Sequence, residues 1–233
     1  MTIEELKQEV NARGIPVPES AFAVYQTLTV LLKEWNAKFN LTAIDEPEEV
    51  YEKHILDCLL PLGYETVSGT VVDVGSGAGF PGLVWAAACP HARFTLLEPT
   101  AKRCRYLEEA IKATGLSNVT VVNMRAEDFA REARESFDVA TARAVANLPV
   151  LSELCIPLIK EGGIFCAMKG AQGEAEAELA EKAYAILGCE KPKVIAMALP
   201  NGEARTVIHA VKNKPTPKQY PRAYAKIKQK PLV

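Results

Sequence analysis

The sequence lacks the features that mark a membrane-spanning or a secreted protein. It contains no run of about 18 apolar residues, which is roughly the minimum for a transmembrane helix. The first residues, MTIEEL, are acidic and do not show the basic and then apolar order of a signal peptide. We therefore expect a cytoplasmic protein with no membrane partner.

Metal-binding and redox cysteine motifs are also missing. The chain has six cysteines, and no two of them are spaced as C-x-x-C. We expect free thiols in a reducing compartment and no metal site. Charged residues make up 24% and apolar residues 48% of the chain, as in ordinary globular domains, which excludes disorder or a coiled coil for the chain as a whole.

Positive charge is scarce in most of the chain and concentrated at its carboxyl end. Seven of the 27 basic residues lie in 212–233, which has no acidic residue; the rest of the chain carries 20 basic and 29 acidic side chains, a net charge of -9. A basic tail on an acidic body favours a local contact with a polyanion, and a solvated tail is the alternative. The predicted contacts are Arg222, Lys226, Lys228 and Lys230.

The chain consists of two parts with different patterns of apolar residues. The first 65 or so residues predict helices, because apolar residues between Phe22 and Phe39 recur at spacings of three and four, and a second helix is predicted for 48–60. From Gly69 onward, short β-rich runs alternate with helix-length segments, which is typical of parallel βαβ units. The predicted strands are 70–74, 93–98, 118–123, 137–142, 163–169, 193–199 and 204–212.

The last two predicted strands are separated only by Pro-Asn-Gly-Glu, which indicates a hairpin and one antiparallel strand. The sequence therefore predicts an α/β fold with a seven-stranded, mostly parallel, doubly wound sheet. We divide the chain into an N-terminal helical extension (1–68), a core that carries the sheet (69–212) and a basic C-terminal tail (213–233).

The sharpest motif is the glycine-rich stretch DVGSGAGFPG, which runs from Asp73 to Gly82. It follows the first predicted strand and opens a helix, the context that a nucleotide-binding loop requires. Glycines let the backbone approach a ligand closely and adopt a positive φ, so Gly75 and Gly77 are candidate cofactor contacts. The ligand is expected beyond the carboxyl ends of the strands.

The identity of the ligand is less direct. The stretch from Gly77 to Gly82 fits G-x-G-x-x-G, and Glu98 follows Gly77 by 21 residues, so NAD and an oxidoreductase are permitted. Asp73, two residues before the first glycine, argues against a pyrophosphate. The D-x-G-x-G pattern, with an acid at the end of the second strand, resembles the Rossmann-like S-adenosylmethionine-dependent methyltransferases. In that class Glu98 would hold the ribose hydroxyls, and Ala126 with Glu127 would lie beside the adenine.

Further motifs narrow the resemblance to one family. Together with the glycine motif, the set resembles the bacterial small-subunit ribosomal RNA guanine-N7 methyltransferase G family, also called glucose-inhibited division protein B, from about residue 20 to the C-terminus. The motifs are NLTAI from Asn40, HILD from His54, FD from Phe137, ARAVA from Ala142, KG from Lys169, TP from Thr216 and YPR from Tyr220.

The resemblance implies what the chain does and where. It implies S-adenosylmethionine as cofactor, methylation of N7 of a specific guanosine in small-subunit (16S) rRNA, and an rRNA or ribosomal subunit particle as partner. It implies cofactor contacts at Gly75, Phe80, Ala126, Glu127 and Arg143. We also expect a monomer with no DNA partner. The tail departs from the family pattern, because a glycine-containing stretch is expected after the YPR motif and AYAKI stands there instead.

The residues themselves support this chemistry by elimination. The end of the fourth strand lacks the Asp/Asn-Pro-Pro-aromatic motif of exocyclic amine methylation, and no Pro-Cys pair serves pyrimidine C5 methylation. Guanine N7 has a free lone pair and no proton to remove, so positioning supplies most of the catalysis. Arg143 is the candidate catalytic residue, as an orienting group on the cofactor or on guanine O6, and Lys169 is a candidate RNA contact.

Other functions remain open at this point. They are a methyltransferase that acts on another RNA, a protein or a small molecule, an NAD-dependent oxidoreductase, and a non-catalytic RNA-binding factor.

Overall fold

A central seven-stranded sheet organises the chain in the computed structural model, which describes all residues from 1 to 233. The strand order is β3-β2-β1-β4-β5-β7-β6. The strands are β1 Thr70–Val74, β2 Arg93–Leu97, β3 Val119–Val122, β4 Phe137–Arg143, β5 Ile159–Lys169, β6 Lys193–Ala198 and β7 Ala204–Val211. The first five pair in parallel, whereas β7 runs antiparallel to both of its neighbours, which confirms the predicted fold class.

Helices cover both faces of the sheet. The α-helices are α1 Ile3–Ala12, α2 Glu19–Phe39, α3 Pro47–Val50, α4 Asp57–Leu59, α5 Gly82–Ala88, α6 Ala101–Thr114, α7 Ala126–Glu132, α8 Leu148–Cys155, α9 Gly173–Leu179, α10 Glu181–Leu187 and α11 Tyr224–Gln229. Successive strand residues point to opposite faces, so Val71 joins one core cluster and Val72 the other. No helix combines the length and the apolar character that crossing a membrane requires.

The N-terminal helices are an integral layer of the fold. They share one hydrophobic core with α5, α6 and the sheet, and that core includes the fully buried Tyr25 and Trp85. The Tyr25 hydroxyl donates a hydrogen bond to the carbonyl oxygen of Val84 at 3.2 Å. The extension predicted for 1–68 is therefore packed directly on the sheet.

The second predicted helix contains an irregularity that matters for the site. Between α3 and α4 the chain forms a π-helical turn, Tyr51–Leu56, in which the Asp57 N–H reaches back to the Glu52 carbonyl oxygen. A 3₁₀ turn, Leu60–Gly63, follows α4. The π-turn leaves His54 and Asp57 both buried against the sheet, and such turns are frequent at functional sites.

The C-terminal segment is folded onto the opposite face. Arg134 donates hydrogen bonds to the carbonyl oxygens of Thr216 and Tyr220, and Ile227 of α11 is fully buried. The backbone of the basic tail is therefore packed, which argues against the solvated alternative, while most of its lysine side chains remain exposed.

The strand order fixes where a ligand can bind. The chain proceeds from β1 to β2 and β3 on one side and then crosses to β4 on the other side of β1. A crevice opens at such a reversal, beyond the carboxyl ends of β1 and β4. The glycine-rich loop follows β1 at this point.

Candidate active site

The glycine-rich loop is held in place by two buried carboxylates. Gly75, Gly77 and Gly79 have φ values of 73°, 57° and 89°, which favour glycine. One Asp73 oxygen accepts from the Gly82 N–H at 3.0 Å, and one Glu98 oxygen accepts from the Gly77 N–H at 3.0 Å. These two hydrogen bonds fix the conformation of the loop backbone.

The structure changes the interpretation of Asp73. Its carboxylate is fully buried beneath the loop, and burial raises the pKa of Asp73 to about 7. The sequence argument that this carboxylate would disfavour a pyrophosphate is therefore replaced by a structural role, in which Asp73 holds the Gly82 end of the loop. Glu98 is also buried and accepts from the Thr100 N–H at 2.8 Å, so its predicted contact with ribose hydroxyls stays a prediction.

A largely apolar cavity of about 160 Å³ opens beside the loop. It brings together three of the predicted cofactor contacts, Gly75, Ala126 and Glu127. A Cβ at Gly75 would lie 2.7 Å from Val145 Cγ2, so only glycine leaves this wall open. The other lining residues are Val74, Leu97, Pro99, Met124, Arg125, Leu154 and Tyr224.

A second, larger and more polar cavity of about 550 Å³ contains Arg143 and Lys169. Lys169 Nζ lies 2.7 Å from Glu176 Oε2 and donates to the Ala146 carbonyl oxygen at 2.6 Å. The remaining residues of this cavity are Ile44, Lys53, His54, Asp57, Ala144, Met168, Gly170, Glu203 and Arg205. Its lining carries side chains of both charges, and most of them form ion pairs with one another.

Arg143 is held by three acceptors. Its Nη1 donates to Asp57 Oδ2 and to the Lys53 carbonyl oxygen, both at 3.0 Å, and its Nη2 lies 2.9 Å from His54 Nδ1. The other Asp57 oxygen accepts from Arg205 Nε at 3.0 Å. The carboxylate therefore joins two guanidinium groups and fixes the orientation of Arg143.

His54 is neutral and fully engaged. Burial, and then the positive charge of Arg143, lower the pKa of His54 to about 4. Because Nδ1 accepts from Arg143, we assign the ring proton to Nε2, which lies 3.1 Å from Thr42 Oγ1. Phe80 stacks on the imidazole with ring centroids 4.6 Å apart, and the Arg143 guanidinium is 5.3 Å from the Phe80 centroid. Phe80 therefore supports Arg143 and does not line the smaller cavity.

The turn after β4 contributes residues to both cavities. Ala144 has a φ of 58°, a left-handed conformation that costs a non-glycine residue about 1–2 kcal/mol. The turn places Arg143 in the larger cavity and Val145 in the smaller one. Strain of this kind clusters at functional sites.

The predicted RNA contacts occupy different environments. Lys226, Lys228 and Lys230 are exposed on and beside α11. The guanidinium of Arg222, by contrast, is bound to the fully buried Glu153, with Nε 2.8 Å from Glu153 Oε1. This pairing favours a structural role for Arg222, and its predicted contact with RNA has no support in the geometry.

Three residues of the site were not predicted from the sequence. Asp57 is part of the HILD motif, so its spacing from His54 could have indicated a role in the site. Arg205 on β7 and Tyr224 on α11 lie in stretches that contain no such motif. No three His, Cys, Asp or Glu side chains come together as a metal-binding cluster.

Known proteins resemble the chain in sequence over almost its whole length. A family model described as rRNA small subunit methyltransferase G matches residues 22–205. The chain is 44% identical to "Ribosomal RNA small subunit methyltransferase G" of Geobacillus kaustophilus and 40% identical to the protein of the same name from Bacillus subtilis, in each case over 227 residues and 95% of both chains.

Solved structures share the fold at low sequence identity. A protein of Corynebacterium glutamicum superposes with a TM-score of 0.52 at 19% identity, over 91% of this chain and 97% of that one. A 16S rRNA (adenine(1408)-N(1))-methyltransferase of Catenulisporales acidiphilia gives a TM-score of 0.53 at 18% identity, over 66% and 87% of the two chains. The family model covers most of the chain, and the relatives are 40–44% identical to it over 95% of its length; on that basis the chain belongs to the rRNA small subunit methyltransferase G family.

Proposed function

We propose that the chain transfers a methyl group from S-adenosylmethionine to N7 of a guanosine in small-subunit (16S) ribosomal RNA. Family membership supports the reaction class and the substrate RNA. The observation that carries the proposal is the pair of cavities lined by successive residues of the Arg143–Val145 turn. One cavity suits an adenosyl group and the other suits a nucleobase.

The smaller cavity fits the cofactor. Its apolar walls and the open face at Gly75 suit a flat heteroaromatic ring, and Glu127 supplies a polar group at one end. Gly75, Ala126 and Glu127 would hold the adenosyl group, and Glu98 would reach the ribose hydroxyls. When bound, S-adenosylmethionine supplies an electrophilic methyl group on a sulfonium sulfur.

The larger cavity has the room and the charge to receive a base extracted from an RNA loop. Guanine presents its N7 and O6 as neighbouring acceptors. The Arg143 Nε and one Nη2 hydrogen have no acceptor in the network around Asp57, so they are free to donate to O6 and align N7.

No general base is needed for this reaction, because N7 carries no proton. His54 is neutral, and both of its ring nitrogens are already engaged, so we assign it to holding Arg143. Catalysis then rests on positioning the base and excluding water.

The expectations about partners and location are part of this proposal. We propose an rRNA or a ribosomal subunit particle as the partner, a cytoplasmic location, a monomeric state and no DNA partner. Family membership disfavours the NAD-dependent oxidoreductase and the non-catalytic RNA-binding factor.

Mass mapping of 16S rRNA tests the proposal. RNA from cells that lack the protein should lose one methyl group on one guanosine. Wild-type protein should restore it, and an Arg143→Ala variant should not. Arg93→Ala is a matched control, because Arg93 is an exposed arginine at the amino end of β2, away from the cavities. An unchanged methylation pattern in the deletion strain would overturn the proposal.

A further inference from the structure

The C-terminal segment reaches the cofactor cavity. The stretch AYAKI, residues 223–227, forms the start of α11. Its tyrosine, Tyr224, is half-buried and lines the same cavity as Gly75 and Glu127. Tyr224 is the single residue of the tail in this cavity, and it lies about 150 residues along the chain from the glycine loop.

The position of Tyr224 is fixed from both sides. Arg222, two residues earlier, is bound to the fully buried Glu153 of α8, and Ile227, three residues later, is fully buried. The Tyr224 ring therefore sits between two anchored residues. It also lies 5.8 Å from the guanidinium carbon of Arg125, a cation–π contact at the rim of the cavity.

The other walls of the cavity complete a slot for a flat ring. Leu97 and Met124 come from the ends of β2 and β3, and Leu154 comes from α8. The aromatic ring of Tyr224 in the same lining adds a face on which a base can stack, and stacking on an aromatic side chain accepts any base. Polar groups such as Glu127 would select adenine by hydrogen bonding, whereas the Tyr224 ring would contribute to the affinity for the cofactor.

We infer that Tyr224 binds the adenosyl group of the cofactor, with its ring forming one wall of the adenosine cavity. The inference rests on the proposed function, because it assigns a further residue to that same cofactor site. The C-terminal segment is then part of the cofactor site as well as a basic surface. Cofactor affinity in this chain depends on α11, which the glycine motif alone does not include.

Titration calorimetry with two ligands tests the inference. S-adenosylmethionine probes the whole site, and 5′-methylthioadenosine probes the adenosyl part without the amino acid. Tyr224→Ala should weaken both ligands by the same factor, about 5- to 150-fold, which is the 1–3 kcal/mol of a base–aromatic stack converted at 1.4 kcal/mol per factor of ten. Tyr224→Phe should stay within about twofold of wild type, because the phenyl face is kept.

Two further variants separate the loss of the aromatic contact from a loss of folding or a non-specific effect. Tyr224→Leu keeps apolar packing against α8 and removes the aromatic face, so a weakening in both Ala and Leu variants is not a loss of folding. Tyr64→Ala is the matched control, since Tyr64 is 66% exposed and does not line either cavity of the site; both affinities should be unchanged.

The possible outcomes separate the two proposals. Wild-type affinity in the Ala and Leu variants would overturn the role of Tyr224 and leave the proposed function intact. Loss of S-adenosylmethionine affinity with unchanged 5′-methylthioadenosine affinity would also overturn it, because the contact would be with the amino acid part. Failure of the wild-type protein to bind either ligand would overturn the proposed function and the inference with it.

Discussion

Replacing Arg222 by alanine should destabilise the protein by about 3 kcal/mol. Glu153 is 0% exposed, and its two oxygens accept from Arg222 Nε and Nη2 and from the Arg222 backbone N–H. Removing one partner of a buried ion pair costs about 3–5 kcal/mol, because the other charge stays buried without compensation. The backbone N–H remains in the alanine variant, so we expect the lower end of that range.

Thermal and urea unfolding measure this loss. For a chain of this size, 1 kcal/mol corresponds to about 2–4 °C in Tm, so Arg222→Ala should lower Tm by about 6–12 °C. Lys226→Ala removes an exposed charge from the same segment and should change stability by less than about 0.5 kcal/mol. Combining Arg222→Ala with Glu153→Leu should recover much of the loss, because no unpaired buried charge remains.

The result also decides between two roles for Arg222. A loss below about 1 kcal/mol would refute the reasoning, since a fully buried carboxylate cannot lose its counter-ion at so small a cost. If that small loss came with a flatter salt dependence of RNA binding, the predicted RNA contact would stand in place of the structural role.

Three further predictions concern the site and the tail. Gly75→Ala should weaken S-adenosylmethionine binding by about tenfold or more in calorimetry. Gly77→Ala has a similar positive φ, but its Cβ would make only an ordinary contact, 3.8 Å from the Gly75 carbonyl oxygen, so it should change the affinity by less than about threefold. Equal losses in the two variants would show that Gly75 does not line the cofactor cavity. Asp57→Asn should lower kcat at saturating cofactor and RNA by about ten- to a hundredfold, because Arg143 loses its charged partner. The cofactor Kd should stay within about threefold of wild type. An unchanged kcat would contradict the positioning role of Asp57. Replacing Lys226, Lys228 and Lys230 together by glutamine should flatten the log–log salt slope of RNA binding by roughly 2. A wild-type slope in this triple variant would show that the three lysines do not contact phosphate.

The sheet was predictable from the sequence because its determinants are local. Most of the parallel strands are short apolar runs bounded by glycine, proline or helix-length segments, so β1 coincides with its predicted range and β2 ends one residue early. The exception is β5, which begins at Ile159, four residues before its predicted start. The hairpin of β6 and β7 followed from a four-residue connection. The glycine-rich loop was equally clear, since its positive φ values require glycine at fixed positions.

The network around Arg143 could not be predicted in the same way. It depends on a π-helical turn, Tyr51–Leu56, and no periodicity of apolar residues distinguishes a π-turn from an α-helix of similar length. It also depends on Arg205, which lies 148 residues from Asp57 along the chain. Residues that meet only through the topology of the sheet leave no local pattern.

The C-terminal segment shows why charge counting has limits. Seven basic residues without an acidic one indicate a solvated or RNA-binding tail, because isolated charges favour water. Here the counter-charges are supplied by other parts of the chain: Glu153 for Arg222, and Glu135 for Lys212, which is fully buried 2.7 Å from Glu135 Oε1. The net charge of a segment therefore does not state which of its charges face solvent.

The C-terminal segment contributes residues to both the predicted RNA surface and the predicted cofactor site. The exposed lysines and Tyr224 belong to one short helical stretch, and that stretch is anchored by Arg222 and Ile227. An RNA phosphate that engages the lysines would hold α11 against α8 and so hold Tyr224 at the cavity. If the lysines contact RNA and Tyr224 contacts the cofactor, both roles of the tail depend on the same buried ion pair between Arg222 and Glu153.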